Sequence, residues 1–273
     1  VDPRRRAILA GAVAALGLGA PPLGAKGGLR LIERVQGGCR VLPGGAVFAA
    51  GAVAADGHEI VHAILKPWLQ LDDGYALVER YLARVGRPMQ ALCGMELRLP
   101  RQLSVEAFRA FNRPYVERLA RWGLLTDGFN PVCRTNVAPA VEAPEVPSLH
   151  GFSYTVPASD PARTFVMSGV TEMGSGGAIA AGDTSDAGML EKAGYVVRAV
   201  AARLEELGLG FPDATQVEAY TVHGAAALGA FVVSAIGEPA RRGLRWHYGR
   251  PPVTGTEIEL EVRGVAREII LRS

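Results

Sequence analysis

From Glu257 to Arg263 the chain alternates without a break: Glu257, Glu259, Glu261 and Arg263 are interleaved with Ile258, Leu260 and Val262. A period of two sends successive side chains to opposite faces, so this stretch predicts a β-strand with one aliphatic and one charged face. The aliphatic face demands a packed core. The charged face is expected to be wet or to line a site. Just upstream, Arg245, Trp246, His247, Tyr248 and Arg250 form a cationic, aromatic cluster ahead of Pro251-Pro252. A hairpin turning through Thr254-Gly255-Thr256 would set that cluster beside the carboxylates. A guanidinium grips a carboxylate through two parallel hydrogen bonds, and a glutamate handles a proton or a water. Together they suit a small anionic ligand.

At 273 residues the chain has room for one large domain or two small ones. Its formal charge of +2, with no basic run beyond the N-terminus, argues against nucleic acid as a partner. Cys39, Cys93 and Cys133 lie far apart, with no CxxC and no His/Cys spacing suited to a metal, so neither metal nor cofactor is expected. One disulfide among the three stays open.

Arg4, Arg5 and Arg6 precede Ala7 to Ala20, a run of small and aliphatic residues, and Pro21-Pro22 follow. A basic segment, a short apolar segment and a small-residue tail predict an export signal over 1–27, of a kind that resembles twin-arginine signals. The expected product is periplasmic or secreted, with no stable membrane span once the signal is removed. An uncleaved anchor is the alternative, but the run is short for a span.

The remainder predicts the same element order twice. In the first half, Ala46 to Ala54 reads as a strand, Gly74 to Val85 as a helix and Ala91 to Leu99 as a strand. Val105 to Trp122 follows as a helix, and Leu149 to Val156 closes as a strand. In the second half, Thr164 to Thr171 is a strand, Gly194 to Leu207 a helix and Thr215 to Val222 a strand. Ala225 to Ile236 is a helix and Glu257 to Val265 the closing strand. Arg245 then occupies the place of Arg134. An internal duplication over 28–157 and 158–273 accounts for this order.

The strand FVMSG (Phe165 to Gly169), the helix after Gly194, the strand VEAYTV (Val217 to Val222) and the ending TEIELEVRGVA (Thr256 to Ala266) resemble the Rid (YjgF) superfamily of imine/enamine deaminases, taken twice. The resemblance implies an α+β fold of two chorismate-mutase-like β-β-α-β-α-β-β halves. Helices would pack on one face of a mixed sheet, and a homotrimer would bind small carboxylate ligands at subunit or repeat interfaces. It implies that Arg245, and Arg134 in the first half, grip the substrate carboxylate and that Glu259 holds the hydrolytic water. His247 and Tyr248 would close the pocket. Glu257 and Glu261 flank Glu259 on one face, where crowded carboxylates raise one another's pKa, so Glu261 is a candidate to share its proton. The first half's closing strand, LHGFSYTVP, carries no acid, so acid chemistry is expected only at the second-half site.

The expected activity is hydrolysis of a 2-imino or 2-enamino acid to a 2-keto acid and ammonia. Two alternatives stay open. The fused halves and the closing acidic strand also resemble the chorismatases, with Arg118 on the matching helix, although Pro252 replaces the small residue those enzymes carry. A periplasmic small-acid-binding or scaffold protein that has lost the chemistry is the other.

Overall fold

A computed structural model describes residues 31–125 and 128–272. The segment expected to direct export lies outside the described residues. Among the described residues the fold is α+β, with four α-helices and a large mixed sheet.

The strands are β1 (Ile32–Arg34), β2 (Cys39–Pro43), β3 (Ala49–Ala54), β4 (His58–Gln70), β5 (Leu92–Arg98), β6 (Cys133–Pro139), β7 (Ser148–Pro157), β8 (Phe165–Met167), β9 (Val170–Thr171), β10 (Met173–Gly174), β11 (Gly177–Ala178), β12 (Gln216–Thr221), β13 (Leu244–Arg250), β14 (Glu259–Gly264) and β15 (Arg267–Arg272). Strand β14 lies between β8 and β12, and β12 lies between β14 and β13. Strand β13 in turn pairs with β6. A bridge between Ala49 and Cys133 joins β3 to β6 and closes the strands from β3 round to β6 into a ring.

Helix α1 (Leu71–Arg84) buries Tyr75, Val78, Tyr81 and Leu82 at helical spacing, with Asp72 and Asp73 in its first turn. Helix α2 (Val105–Arg121) starts on Ser104, whose hydroxyl accepts from Ala107 N, and carries Pro114 within it. Both pack on the aliphatic side of β5 and its neighbours. Helix α3 (Asp186–Glu206) is capped by Ser185, and α4 (Ala225–Ile236) ends at Gly237 with φ of 70°. These two cover Leu260, Val262 and Val217. Where residues 194–207 were expected to be helical, α3 begins eight residues sooner, at Asp186. Strand Thr164 to Thr171 is broken at Ser168-Gly169 into β8 and β9.

The charged face of the closing strand is not wet. Glu259 is 3% exposed, Glu261 5% and Arg263 2%. The face turned away from the helices is covered by other strands, and charge is met there by charge. The Arg263 guanidinium donates to Glu96 and Glu261 (both 2.9 Å) and to Glu218 (2.6 Å). Tyr220 adds a hydroxyl shared by Glu218 and Glu261.

The expected hairpin from the Arg245 cluster back to the acidic strand does not form. β12, α4 and β13 make a parallel crossover, which leaves β12 between β13 and β14. Tyr220 therefore stands opposite Glu259, and Glu218 stands opposite Arg245.

Candidate active site

One cavity gathers Glu259 from β14, Arg134 and Asn136 from β6, Thr171 from β9, and Tyr195 and Arg203 from α3. Val47, Phe48, Phe108 and Val253 supply apolar wall, and Met173, at the root of the short β10–β11 hairpin (Met173–Gly174 with Gly177–Ala178), closes part of the rim.

Sequence position brings each group here for a physical reason. Glu259 follows Ile258, whose burial in the core under α3 and α4 turns the next side chain to the opposite face. Its carboxyl lies against Gly169: a β-carbon there would come within 1.8 Å of Oε1, so any side chain at 169 would displace the carboxyl. Arg134 is the second residue of β6 and is 4% exposed. Its Nε donates to Asn136 Oδ1 at 2.9 Å, and its guanidinium lies 4.2 Å from the centre of the Tyr115 ring and 5.4 Å from that of Phe111. The cationic plane is thus held by aromatic faces of α2. Ser168 is the joint of the site. Its Oγ donates to Ala49 O and accepts from Arg134 N (2.7 Å), and its carbonyl accepts from Arg203 Nη1 (3.3 Å).

Three polar atoms in this cavity are buried with no hydrogen-bond partner: Arg134 Nη1, Arg134 Nη2 and Glu259 Oε2. Buried donors and acceptors left open carry a desolvation cost of about 1–3 kcal/mol each, so a site that tolerates them is shaped for a ligand that completes them. Burial pushes the Glu259 carboxyl up to about 8; Glu172 adds to the rise, and Arg98 and Arg203 oppose it. At neutral pH Glu259 holds a proton. The neighbouring acid is thus Glu172, not Glu257 or Glu261, and burial outweighs it.

Of the other residues expected at the site, Glu261 belongs to the Arg263 cluster, its carboxyl raised well above the usual range by burial and by Glu96. Arg245 does not meet Glu259. It is half exposed and lies 3.4 Å from both Glu218 and Glu268, because β12 intervenes. His247 stacks on Tyr220 with its Nε2 3.3 Å from Glu218, and Tyr248 is 60% exposed. Neither lines the cavity. Glu257 pairs outward with His223 and Arg250. Glu96, Glu218 and Glu261 come close enough together to suggest a cation site, but Arg263 already bonds all three. All three cysteines are buried and unpaired.

Sequence reasoning missed Arg203, Gly169 and Tyr195. The glycine interrupting FVMSGVT was the one local signal, since glycine inside a strand marks close approach. Arg203, in an Ala-Ala-Arg-Leu-Glu-Glu helical run, reads like any surface arginine.

Comparison with known proteins supplies the chemistry. The 2-amino-5-chloromuconate deaminase of Comamonas testosteroni is 39% identical over 248 residues, 86% of this chain and 96% of that protein. Among solved structures, a chorismatase overlays with TM-score 0.49 at 11% identity, covering 84% of this chain and 77% of that one. An L-PSP protein titled a putative endoribonuclease, from Entamoeba histolytica, overlays with TM-score 0.32 at 15% identity, covering 37% and 79%. At such scores these overlays bear no functional weight. The match to the curated deaminase over most of both chains makes this molecule an enzyme acting on C–N bonds. Residues 31–269 match the family model described as 2-aminomuconate deaminase CnbZ, and the chain belongs to that family.

Proposed function

We propose that the protein deaminates a 2-enamino acid of the aminomuconate class by hydrolysis, giving the 2-oxo acid and ammonia at the Arg134–Glu259 cavity. The observation that carries this reading is the set of unpartnered buried atoms on Arg134 and Glu259 around one hollow. A carboxylate of the substrate accepts from Arg134. Protonated Glu259 gives its proton to the enamine, leaving an iminium at the amino-bearing carbon. The resulting carboxylate takes a proton from a water as that water adds to the carbon. Glu259 then passes the proton to nitrogen, ammonia leaves, and the hydroxyl proton returns to Glu259 as the C=O forms. Protons balance, and Glu259 ends as it began. A carboxyl titrating near 8 can be acid and base in turn at neutral pH.

The same reading includes a duplicated chain, 28–157 and 158–273, supported by the recurrence of strands, helix, strand, helix and strands in both parts. It also includes assembly into three copies, checked by light scattering, and export, checked by N-terminal sequencing of the periplasmic fraction.

The test is ammonia release from freshly generated 2-aminomuconate, with pyruvate release from chorismate as the control. Ammonia without pyruvate supports the reading; pyruvate without ammonia overturns it.

A further inference from the structure

We propose that Arg203 is a second carboxylate receptor, so that the cavity takes a dianion with one carboxylate on Arg134 and the other on Arg203. The inference deepens the deaminase reading and rests on it for the identity of the ligand's reacting end.

Four arginines are buried among the described residues, and they divide into two pairs. Arg263 bonds Glu96, Glu218 and Glu261, and Arg98 lies 3.8 Å from Glu96. Arg134 and Arg203, 4% and 8% exposed, make no ion pair among the described residues. Arg134 has Asn136 and the aromatic faces of α2, and Arg203 has the Ser168 carbonyl, with Glu206 and Glu259 near it but neither within ion-pair distance. Both line the same cavity.

A guanidinium out of water without a counter-charge is expensive, and removing one partner of a buried pair costs about 3–5 kcal/mol. A fold that pairs Arg263 so fully and leaves Arg134 and Arg203 open is arranged for charge brought in from outside. Glu259 does not supply it, because its carboxyl is protonated at neutral pH. The cavity therefore carries two positive charges without a partner, and one carboxylate answers only half.

Both residues are tied to Ser168. The backbone N–H of Arg134 donates to Ser168 Oγ, and Arg203 Nη1 donates to the carbonyl of the same residue. Arg134 is backed by α2, whereas Arg203 projects from α3. A ligand with a carboxylate at each end spans the two; a monoacid of the same length leaves one guanidinium buried and bare.

The experiment compares binding of muconate and sorbate, six-carbon dienes with two carboxylates and one, by calorimetry on the full chain. Neither has an amino group, so nothing is turned over. In the wild type, muconate should bind about tenfold or more tighter than sorbate, the worth of one charge-assisted hydrogen-bonded pair. Arg203→Gln and Arg134→Gln should each bring that ratio to about one. Arg203→Lys keeps the charge but not the paired donors, so it guards against a Gln variant that does not fold; it should lower the ratio severalfold. A wild-type ratio near one, or Arg203 variants that bind but keep the full ratio, overturns the proposal. A tenfold ratio in a protein that releases no ammonia would sink the deaminase reading and leave the dianion site standing. A ratio of one with full ammonia release would do the reverse.

Discussion

The Glu259 carboxyl lies where a side chain on Gly169 would have to be: a β-carbon there would sit 1.8 Å from Glu259 Oε1. No positive φ is involved, so what a side chain at 169 would disturb is the place of the Glu259 carboxyl. The break between β8 and β9 at this point lets the acid lie against bare backbone.

Gly169→Ala therefore pushes the Glu259 carboxyl aside. Misplacing a catalytic group by about 1 Å costs on the order of 100-fold. We expect ammonia release to fall by about that factor while muconate binding changes far less, measured on one preparation by kinetics and calorimetry.

The pH dependence follows from the raised Glu259 carboxyl. Folded, it keeps its proton to about pH 8; an unperturbed carboxyl loses it near 4.5. Between those values the folded state binds the extra proton, so this contribution to stability is full below about 4.5 and is lost as pH rises through about 8. Glu259→Gln has no such proton. Its Tm should rise relative to wild type between pH 5 and pH 8, read by scanning calorimetry at matched buffers. Wild-type ammonia release should decline as pH rises through about 8, where the acid form of Glu259 disappears.

Arg263 is expected to matter for folding rather than for turnover. Arg263→Met removes from Glu96 and Glu218 their nearest cation and leaves the longer pairs with Arg98 and Arg245, a loss of about 3 kcal/mol in urea unfolding. Glu261→Gln should cost less, because burial and Glu96 already push the Glu261 carboxyl well above the usual range and the amide keeps an oxygen for Arg263 Nη1.

Arg245→Ala tests the separation made by β12. The side chain is half exposed and its partners are Glu218 and Glu268, so we expect a stability change within about 1 kcal/mol and ammonia release within about twofold of wild type. A 100-fold loss in the folded variant would return Arg245 to the site.

Local pattern carried the strands and much of the helices. The alternation from Glu257 to Arg263 is a strand over Glu259–Gly264, and Ala225–Ile236 is helical to the residue. The apolar face was legible because aliphatic side chains at every second position have one destination. The charged face, expected to be wet or to line a site, divides: Glu259 lines the cavity, while Glu261 and Arg263 are covered from β5 and β12, far away in sequence. The start of α3 was missed although Ser185-Asp186 is a helix-start signal. Arg245 was placed beside Glu259 by proximity in sequence, whereas the order β14-β12-β13 is set by the α4 crossover. Arg134 meets Glu259 from the other half of the chain, and no spacing within either half encodes that meeting.

The most direct measurement is single-turnover ammonia release by Glu259→Gln alongside wild type, with muconate binding measured on the same samples. General acid–base catalysis is worth about 100- to 10,000-fold. We expect the rate to fall within that range while the variant stays folded and still binds muconate. A folded Glu259→Gln that binds muconate and releases ammonia at the wild-type rate would contradict a catalytic role for this carboxyl.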